Sequence, residues 1–314
     1  MTENLIGNST LPAFDKLRQY DAVCVLGPTA CGKTSFAVAL ALAMGNAEIL
    51  SADSRQVYRR MDIGTGKDLC EYGTVPYHLI DIVEAGTKYN LFEYQKDFSK
   101  AYRDIRSRGG FPIICGGSGL YIEAVTKPGY NLKAVEPDVR LREELEQKSF
   151  EELLEQFISL KRKHGARPHN HTDYDTRKRL IRALEIELAI EEGNGTKEID
   201  RNIDLELPKN VYFIGLDISP ERRRAKIDRR LEARLNEGMI DEVRKLLDSG
   251  IKAEDLVYYG LEYKFVTQYL TGETSYEWMK EHLAIAIHQF AKRQMTWFRG
   301  MERRGATIHW IPAE

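Results

Sequence analysis

The run Gly27-Pro28-Thr29-Ala30-Cys31-Gly32-Lys33-Thr34 carries the G-x-x-x-x-G-K-[ST] spacing of a phosphate-binding loop. In such a loop successive backbone N–H groups, here those of Ala30 to Thr34, wrap an anionic phosphate at the positive end of a helix. Lys33 adds a full positive charge, and the Thr34 hydroxyl can hold Mg²⁺. The flanks suit this chemistry: residues 21–26 are a short apolar run, and residues 35–43 are strong helix formers. Strand, loop and helix in that order turn the spacing into a mechanism. The motif specifies a di- or triphosphate without saying which.

Two further groups could share that crevice, since ligands of an open parallel sheet bind at the carboxyl ends of its strands. Ser51-Ala52-Asp53-Ser54-Arg55-Gln56-Val57-Tyr58 follows a second apolar run. Asp53 reads as a general base or a metal-associated acid at a phosphate site. It also reads as a helix N-cap, as does Ser54, or as the ribose-binding acid of a dinucleotide fold, although that fold uses a lysine-free G-x-G-x-x-G. Gly116-Gly117-Ser118-Gly119-Leu120-Tyr121 is a glycine turn opening a helix. Ser118 offers a hydroxyl to the crevice or caps that helix. A hydrolase with this loop needs an acid at a strand end to complete its metal site. The run 111–115 ends in Gly-Gly-Ser instead, which favours a transfer enzyme over a motor or GTPase.

The elements that must position these groups alternate. Strands are expected at 21–26, 47–51, 78–83 and 111–115, and helices at 33–44, 91–108 and 118–126. This alternation predicts an α/β fold, a P-loop-type parallel sheet flanked by helices. Runs 210–216 and 306–311 extend the sheet. Residues 138–164 and 173–192 read as charged amphipathic helices with no strand between them. The expected organisation is an α/β core from 1–130 and 204–314, with an all-helical insertion at 131–203. Residues 219–299 read as helical, ending in a long basic helix.

The 314 residues are 42% apolar and 30% charged, the composition of an ordinary soluble chain. No apolar run approaches a membrane span. The N-terminal octet has no basic region or apolar core of a secretory signal, so a cytoplasmic protein is expected. Cys24, Cys31, Cys70 and Cys115 form no C-x-x-C pair, which suggests neither a zinc site nor a disulfide framework. The net charge of −2 hides a segregation: residues 161–182 carry eight Lys/Arg against two acids, 222–230 six against one, and 292–304 five against one. A basic surface for a polyanion and three separate solvated helix faces both fit this pattern.

Taken together, Gly-Pro-Thr-Ala-Cys-Gly-Lys-Thr at 27–34, Ser-Ala-Asp-Ser-Arg-Gln-Val-Tyr at 51–58, Asp-Ile-Gly-Thr-Gly-Lys at 62–67, Gly-Gly-Ser-Gly-Leu-Tyr at 116–121, Arg-Leu-Ile-Arg-Ala-Leu-Glu at 179–185 and Ala-Lys-Arg-Gln-Met-Thr-Trp-Phe-Arg at 291–299 resemble the tRNA dimethylallyltransferases. The resemblance runs from about residue 22 to 311. It implies transfer of a five-carbon group from dimethylallyl diphosphate to N6 of the adenosine at tRNA position 37, with Mg²⁺ assisting and the loop holding the prenyl diphosphate. It implies that Asp53 is the general base, that Lys33 and Ser118 serve the reaction, and that Arg230 clamps the diphosphate. It also implies contacts to the tRNA anticodon stem-loop from Asp53, Ser54, Arg55, Gln56, Ser118, Arg140, Lys178, Arg179, Arg182, Lys292, Arg293 and Arg299. No membrane partner is implied, and a monomer is expected. Trp297 and Phe298 serve either the core or base stacking. Two departures stand out: Asp68 follows Lys67 where the family has Pro, and Gly260-Leu261-Glu262-Tyr263 replaces a Gly-Tyr-Lys/Arg-Glu pattern. A small-molecule kinase, an adenylate isopentenyltransferase and a non-catalytic RNA-binding protein are the competing readings.

Overall fold

The computed structural model describes residues 12–127, 135, 138–165, 176–192 and 205–313. The chain divides into two compact units, Met1–Tyr130 with Leu205–Glu314, and Asn131–Asp204.

In the larger unit six strands form one sheet: β1 (Ala22–Leu26), β2 (Ala47–Ser51), β3 (Tyr77–His78), β4 (Phe111–Gly116), β5 (Val211–Asp217) and β6 (Ile308–Pro312), in the order β3-β2-β4-β1-β5-β6. Every pairing is parallel. Parallel strands buried on both faces need apolar residues at successive positions, and β1 supplies them. Its Val23 and Val25 enter one core, with Phe36, Leu40 and Ile113, while Cys24 and Leu26 enter the other, with Phe98, Ile122 and Phe298. The strand ends are level, since Leu26 pairs with both Gly116 and Gly215, and Ser51 with Cys115. The loops that follow β1, β2, β4 and β5 therefore open along one edge.

Helix α1 (Lys33–Met44) starts at Gly32, whose φ of 91° is left-handed backbone that glycine adopts without strain. Helix α2 (Leu91–Ser107) starts with a capping box between Asn90 and Glu93, and α3 (Gly119–Thr126) follows β4. After the insertion come α7 (Pro220–Asn236), α8 (Met239–Asp248), α9 (Leu261–Leu270) and α10 (Tyr276–Arg303). Ser219 caps α7 and Pro220 sits in its first turn, the favoured place for proline. The helical stretch expected over 219–299 is thus several helices, broken first at Gly238 with its φ of 102°.

The strand expected over 78–83 contracts to Tyr77–His78. Leu79 and Asp81 take positive φ values of 67° and 56°, which turn the chain out of the sheet. The partners of this segment lie earlier in sequence: Asp81 N donates to Gln56 O at 3.1 Å and Ile82 N to Val57 O at 2.9 Å, and buried Lys67 Nζ is bonded to Tyr58 O and Asp62 Oδ1, each at 2.6 Å, and to Asp81.

The insertion contains α4 (Val139–Glu146), α5 (Phe150–Lys163) and α6 (Arg177–Glu191), packed around Leu145, Leu153, Phe157, Leu180 and Leu184. The single helix expected over 138–164 is two, because Ser149 and Glu152 form a capping box that starts a new one. Buried Glu185 on α6 accepts from Asp138 N at 2.6 Å, from Arg142 at 3.0 and 2.8 Å, and from Arg182. Burial alone would raise its carboxyl, yet these donors hold it below the usual value.

Candidate active site

A cleft of about 440 Å³ opens at the carboxyl edge of the sheet. It is lined by Thr29, Ala30 and Gly32–Ser35 from the phosphate loop and by Asp53 and Gln56 from the turn after β2. Gly116 at the end of β4, Gly117 after it, Lys226 and Arg230 of α7, and Phe290 and Gln294 of α10 line it as well, together with Thr65, Gly66, Asp68, Glu71, Tyr72 and Cys115. The level strand ends cause this convergence. A cavity of similar size, about 470 Å³, lies at the amino ends of the strands beside Val211 and Tyr212 and contains none of the candidate residues.

Within the loop Lys33 Nζ donates to Pro28 O at 2.8 Å and lies 4.0 Å from Cys31 Sγ. The Cys31 side chain is buried and packs toward Gly27. Thr29 N donates to Gln294 Oε1 at 2.8 Å, so the loop's phosphate donors begin at Ala30. Thr34 opens α1 and lines the cleft.

Asp53 is half-buried. Its Oδ1 accepts the N–H of Arg55 at 2.9 Å, a turn rather than a helix cap. Ser118 precedes α3 but makes no side-chain cap there. Its Oγ accepts from Ser54 N at 3.1 Å and lies 3.3 Å from Ser54 Oγ, tying the loop after β4 to the Asp53 turn. Gln56 lies between Ser51 Oγ, at 3.3 Å, and Gly66 O, at 3.0 Å. Arg55 sits over the Tyr258 ring, 5.7 Å from its centroid.

Opposite the loop, Arg230 Nη2 reaches Asp68 Oδ2 at 3.1 Å and Gly66 O at 3.4 Å. Arg234, one turn along α7, is buried and also meets Asp68. Burial and the Arg230 cation lower the pKa of its guanidinium. The Asp62–Lys67 segment is held from behind: Glu242 of α8 accepts the N–H groups of Asp62, Ile63 and Gly64 at 2.7, 2.7 and 3.0 Å. Lys67 is thus part of the fold, with no side-chain access to the cleft. Burial pushes the Tyr72 phenol at the cleft wall up from its ordinary pKa.

The remaining candidates sit as follows. Lys292, Arg293 and Arg299 are exposed on α10, while Ala291, Gln294, Met295 and Phe298 face inward. Arg293 lies 6.0 Å from the centroid of Phe290, which lines the cleft. Phe298 is core, and Trp297 is partly buried beside Arg304. In the insertion, Arg140, Lys178 and Arg179 are exposed, whereas Arg182 is bound to Glu185 and donates to Val135 O at 2.6 Å. The basic window 161–182 is partly neutralised by acids that lie outside it in sequence: Lys161 pairs with Glu187, Lys163 with Glu191, Arg177 with Glu146. Residues 166–175 of that window lie outside the described residues. Asp68 registered in the sequence only as a departure from a family pattern, Gln294 only as one letter of the 291–299 motif with no role attached, and Phe290 only as a letter of the long helix. Gln294 did carry a signal, a polar residue on the stripe Ile287, Ala291, Met295, Phe298 that helical spacing assigns to the core.

The sequence matches the family model described as IPP transferase over residues 56–301, and that described as Isopentenyl transferase over residues 20–72. This chain belongs to the IPP transferase family. A relative named tRNA dimethylallyltransferase 1, from Parabacteroides distasonis, is 56% identical over 301 residues, covering 95% of this chain and 94% of that protein. Another of that name, from Porphyromonas gingivalis, is 56% identical over 298 residues, covering 93% of each. Among solved structures, the full-length tRNA isopentenylpyrophosphate transferase from Bacillus halodurans superposes with a TM-score of 0.65 at 34% identity, covering 93% of this chain and 89% of that one.

Proposed function

We propose that this protein transfers the dimethylallyl group of dimethylallyl diphosphate to N6 of the adenosine at tRNA position 37, beside the anticodon, and releases diphosphate. The observation that carries this reading is the meeting of a phosphate loop, a half-buried carboxylate and an arginine in one cleft. The loop amides from Ala30 to Thr34, Lys33 and Arg230 bind the diphosphate and stabilise the charge that grows on it as the carbon–oxygen bond breaks. The N6 lone pair forms the new bond to the prenyl carbon, and the electrons of the broken bond leave with diphosphate. An adenine amine is a weak nucleophile because its lone pair is delocalised into the ring. Asp53 takes its proton as it attacks. Ser118 orients the Asp53 turn through Ser54.

Among the described residues no group of three or more His, Cys, Asp or Glu side chains could hold a metal ion. The donor set suits a cation bound mainly through substrate oxygens, as Mg²⁺ commonly is, with the Thr34 hydroxyl as the protein ligand. Such an ion would neutralise diphosphate charge.

The target base leaves its stack to reach the cleft. Ser54, Arg55, Gln56, Arg140, Lys178, Arg179, Lys292, Arg293 and Arg299 are the proposed tRNA contacts, with the insertion at 131–203 as an RNA-binding domain; Arg182, bound to Glu185, braces the insertion instead. Phosphate contacts supply much of the affinity. Among the described residues no helix is long and apolar enough to cross a membrane.

The test incubates the protein with dimethylallyl diphosphate and unmodified tRNA, AMP or ATP, and follows prenylation by mass. Prenylated tRNA, competition by inorganic diphosphate and no consumption of ATP are expected. Lys33→Ala should slow transfer and weaken diphosphate binding. Prenylated AMP alone would make the acceptor a free nucleotide, and stoichiometric ATP cleavage would make the protein a kinase or ATPase.

A further inference from the structure

We infer that Gln294 is a positioning residue that holds the diphosphate loop and the catalytic-base loop in register. The inference deepens the proposed transfer reaction and rests on it. The Gln294 carboxamide is buried on α10 and uses both ends. Its Oε1 accepts the Thr29 N–H of the phosphate loop at 2.8 Å, and its Nε2 donates to Gly117 O, after β4, at 2.9 Å. Gly117 is followed by Ser118, whose hydroxyl receives the N–H of Ser54, next to Asp53. One side chain thus completes a hydrogen-bonded path from the loop that would hold the leaving group to the carboxylate that would take the proton.

Three features argue for a purpose beyond filling space. First, the site is built for this side chain: a Cβ at Gly117 would overlap Gln294 Nε2, so only glycine lets the amide approach. Second, an amide is the neutral group that both accepts from one loop and donates to the other. Leu or Met would fill the same volume but leave the Thr29 N–H and the Gly117 carbonyl without these partners. Third, both bonds end on backbone groups that lie outside any helix or strand, the Thr29 N–H and the Gly117 carbonyl. The separation of the two loops matters because transfer demands in-line approach of amine, carbon and leaving oxygen. Misplacement by about 1 Å costs on the order of 100-fold in rate.

The experiment compares wild type, Gln294→Leu and Gln294→Glu in transfer assays with tRNA and dimethylallyl diphosphate varied separately, and with melting temperatures recorded. Absence of transfer by the wild type would sink the proposed function itself and is thereby distinguished from failure of this inference. With the wild type active, folded Gln294→Leu should lose about 10–100-fold in kcat, the range expected of displaced reacting groups, with KM for tRNA changed less than twofold. A kcat within twofold of wild type, or a loss confined to KM for tRNA, overturns the inference.

Gln294→Glu serves where Gln294→Leu does not fold, and it supplies a readout that packing alone would not move. Its carboxylate still accepts from Thr29 but opposes the Gly117 carbonyl, while the protonated acid restores the donor. The ratio of its kcat to that of wild type should therefore rise as pH falls toward the carboxylate range. A ratio independent of pH would overturn the brace. Gly117→Ala should cost kcat in the same way, and combining it with Gln294→Leu should add little further loss, because both break the same link.

Discussion

Arg230 Nη2 and Asp68 Oδ2 lie 3.1 Å apart on the wall of the cleft. Arg234 reaches the same oxygen at 3.1 Å, so one carboxylate is shared by two cations. Asp68 stands where the resembled family has proline, and its φ of 37° is a conformation proline cannot take. Arg230, the proposed clamp, is thus paired with an acid that would compete with an incoming anion. Arg230→Ala should raise the Kd for inorganic diphosphate about 10–100-fold, matching the ~1.5–3 kcal/mol of a hydrogen bond to a charged group. Asp68→Asn should lower that Kd a few-fold. Titration calorimetry measures both, and equal weakening by the two variants would make Asp68 a support for Arg230 rather than its competitor.

Asp53 is held by the Arg55 N–H on one side of its turn, with Ser54 fixed by Ser118 on the other. Asp53→Asn keeps the turn acceptor and loses the base. Turnover should fall by about 10²–10⁴-fold, the usual worth of a positioned acid or base, with tRNA and diphosphate binding preserved. Near-normal single-turnover rates would remove Asp53 from the proton transfer.

Three cations of α6 should divide into two kinds. Lys178 and Arg179 are exposed, whereas Arg182 is half-buried against Glu185. Lys178→Ala and Arg179→Ala should each weaken tRNA binding and flatten its log–log salt dependence by about 0.7–0.9 for each phosphate no longer neutralised. Arg182→Ala should instead lower thermal stability, since it takes a donor from a buried carboxylate. An unchanged salt slope in the first pair would place the RNA elsewhere.

Glu48, buried at the start of β2, accepts from Arg108 at 2.6 Å and lies 2.7 Å from His78 Nε2. The Arg108 hydrogen bonds outweigh burial and hold the carboxyl below its ordinary 4.5. A depressed folded pKa stabilises the fold above the unfolded value, and that stabilisation is lost as pH falls through the folded one. Glu48→Gln should therefore cost about 1–3 kcal/mol near neutral pH, the scale of a buried charged hydrogen bond. The gap to wild type should close below pH 4.5. Denaturant melts across that range test it, and a gap constant with pH would mean that the loss is one of shape.

What the sequence disclosed follows from how local each cause is. The strands at Ala22–Leu26 and Phe111–Gly116 were legible because both faces are buried and their apolar runs are unbroken. The phosphate loop was legible because its donors are consecutive backbone groups. The short β3 was not, since residues 81–83 take their backbone partners from 56–58, and Asp81 meets Lys67 fourteen residues away. The Arg230–Asp68 pair spans 162 residues and the Gln294–Thr29 bond 265, beyond the reach of any periodicity. Charge counts overstate the free charge of 161–182 for the same reason: Glu185 and Glu187 neutralise cations of that window from farther along α6 and from across the helix pair.

None of the cleft's lining residues follows an edge strand. The loops after β1, β2 and β4 and helix α7 after β5 all spring from interior strands, and β3 and β6, at the two rims, end away from the cleft. Local opening of a sheet begins where strands have one neighbour and spreads inward. Amide exchange at the rims can therefore run fast while the ladders of β1, β2 and β4 stay protected. The protein can breathe at its margins while the strands that carry the phosphate loop and the Asp53 turn hold their places.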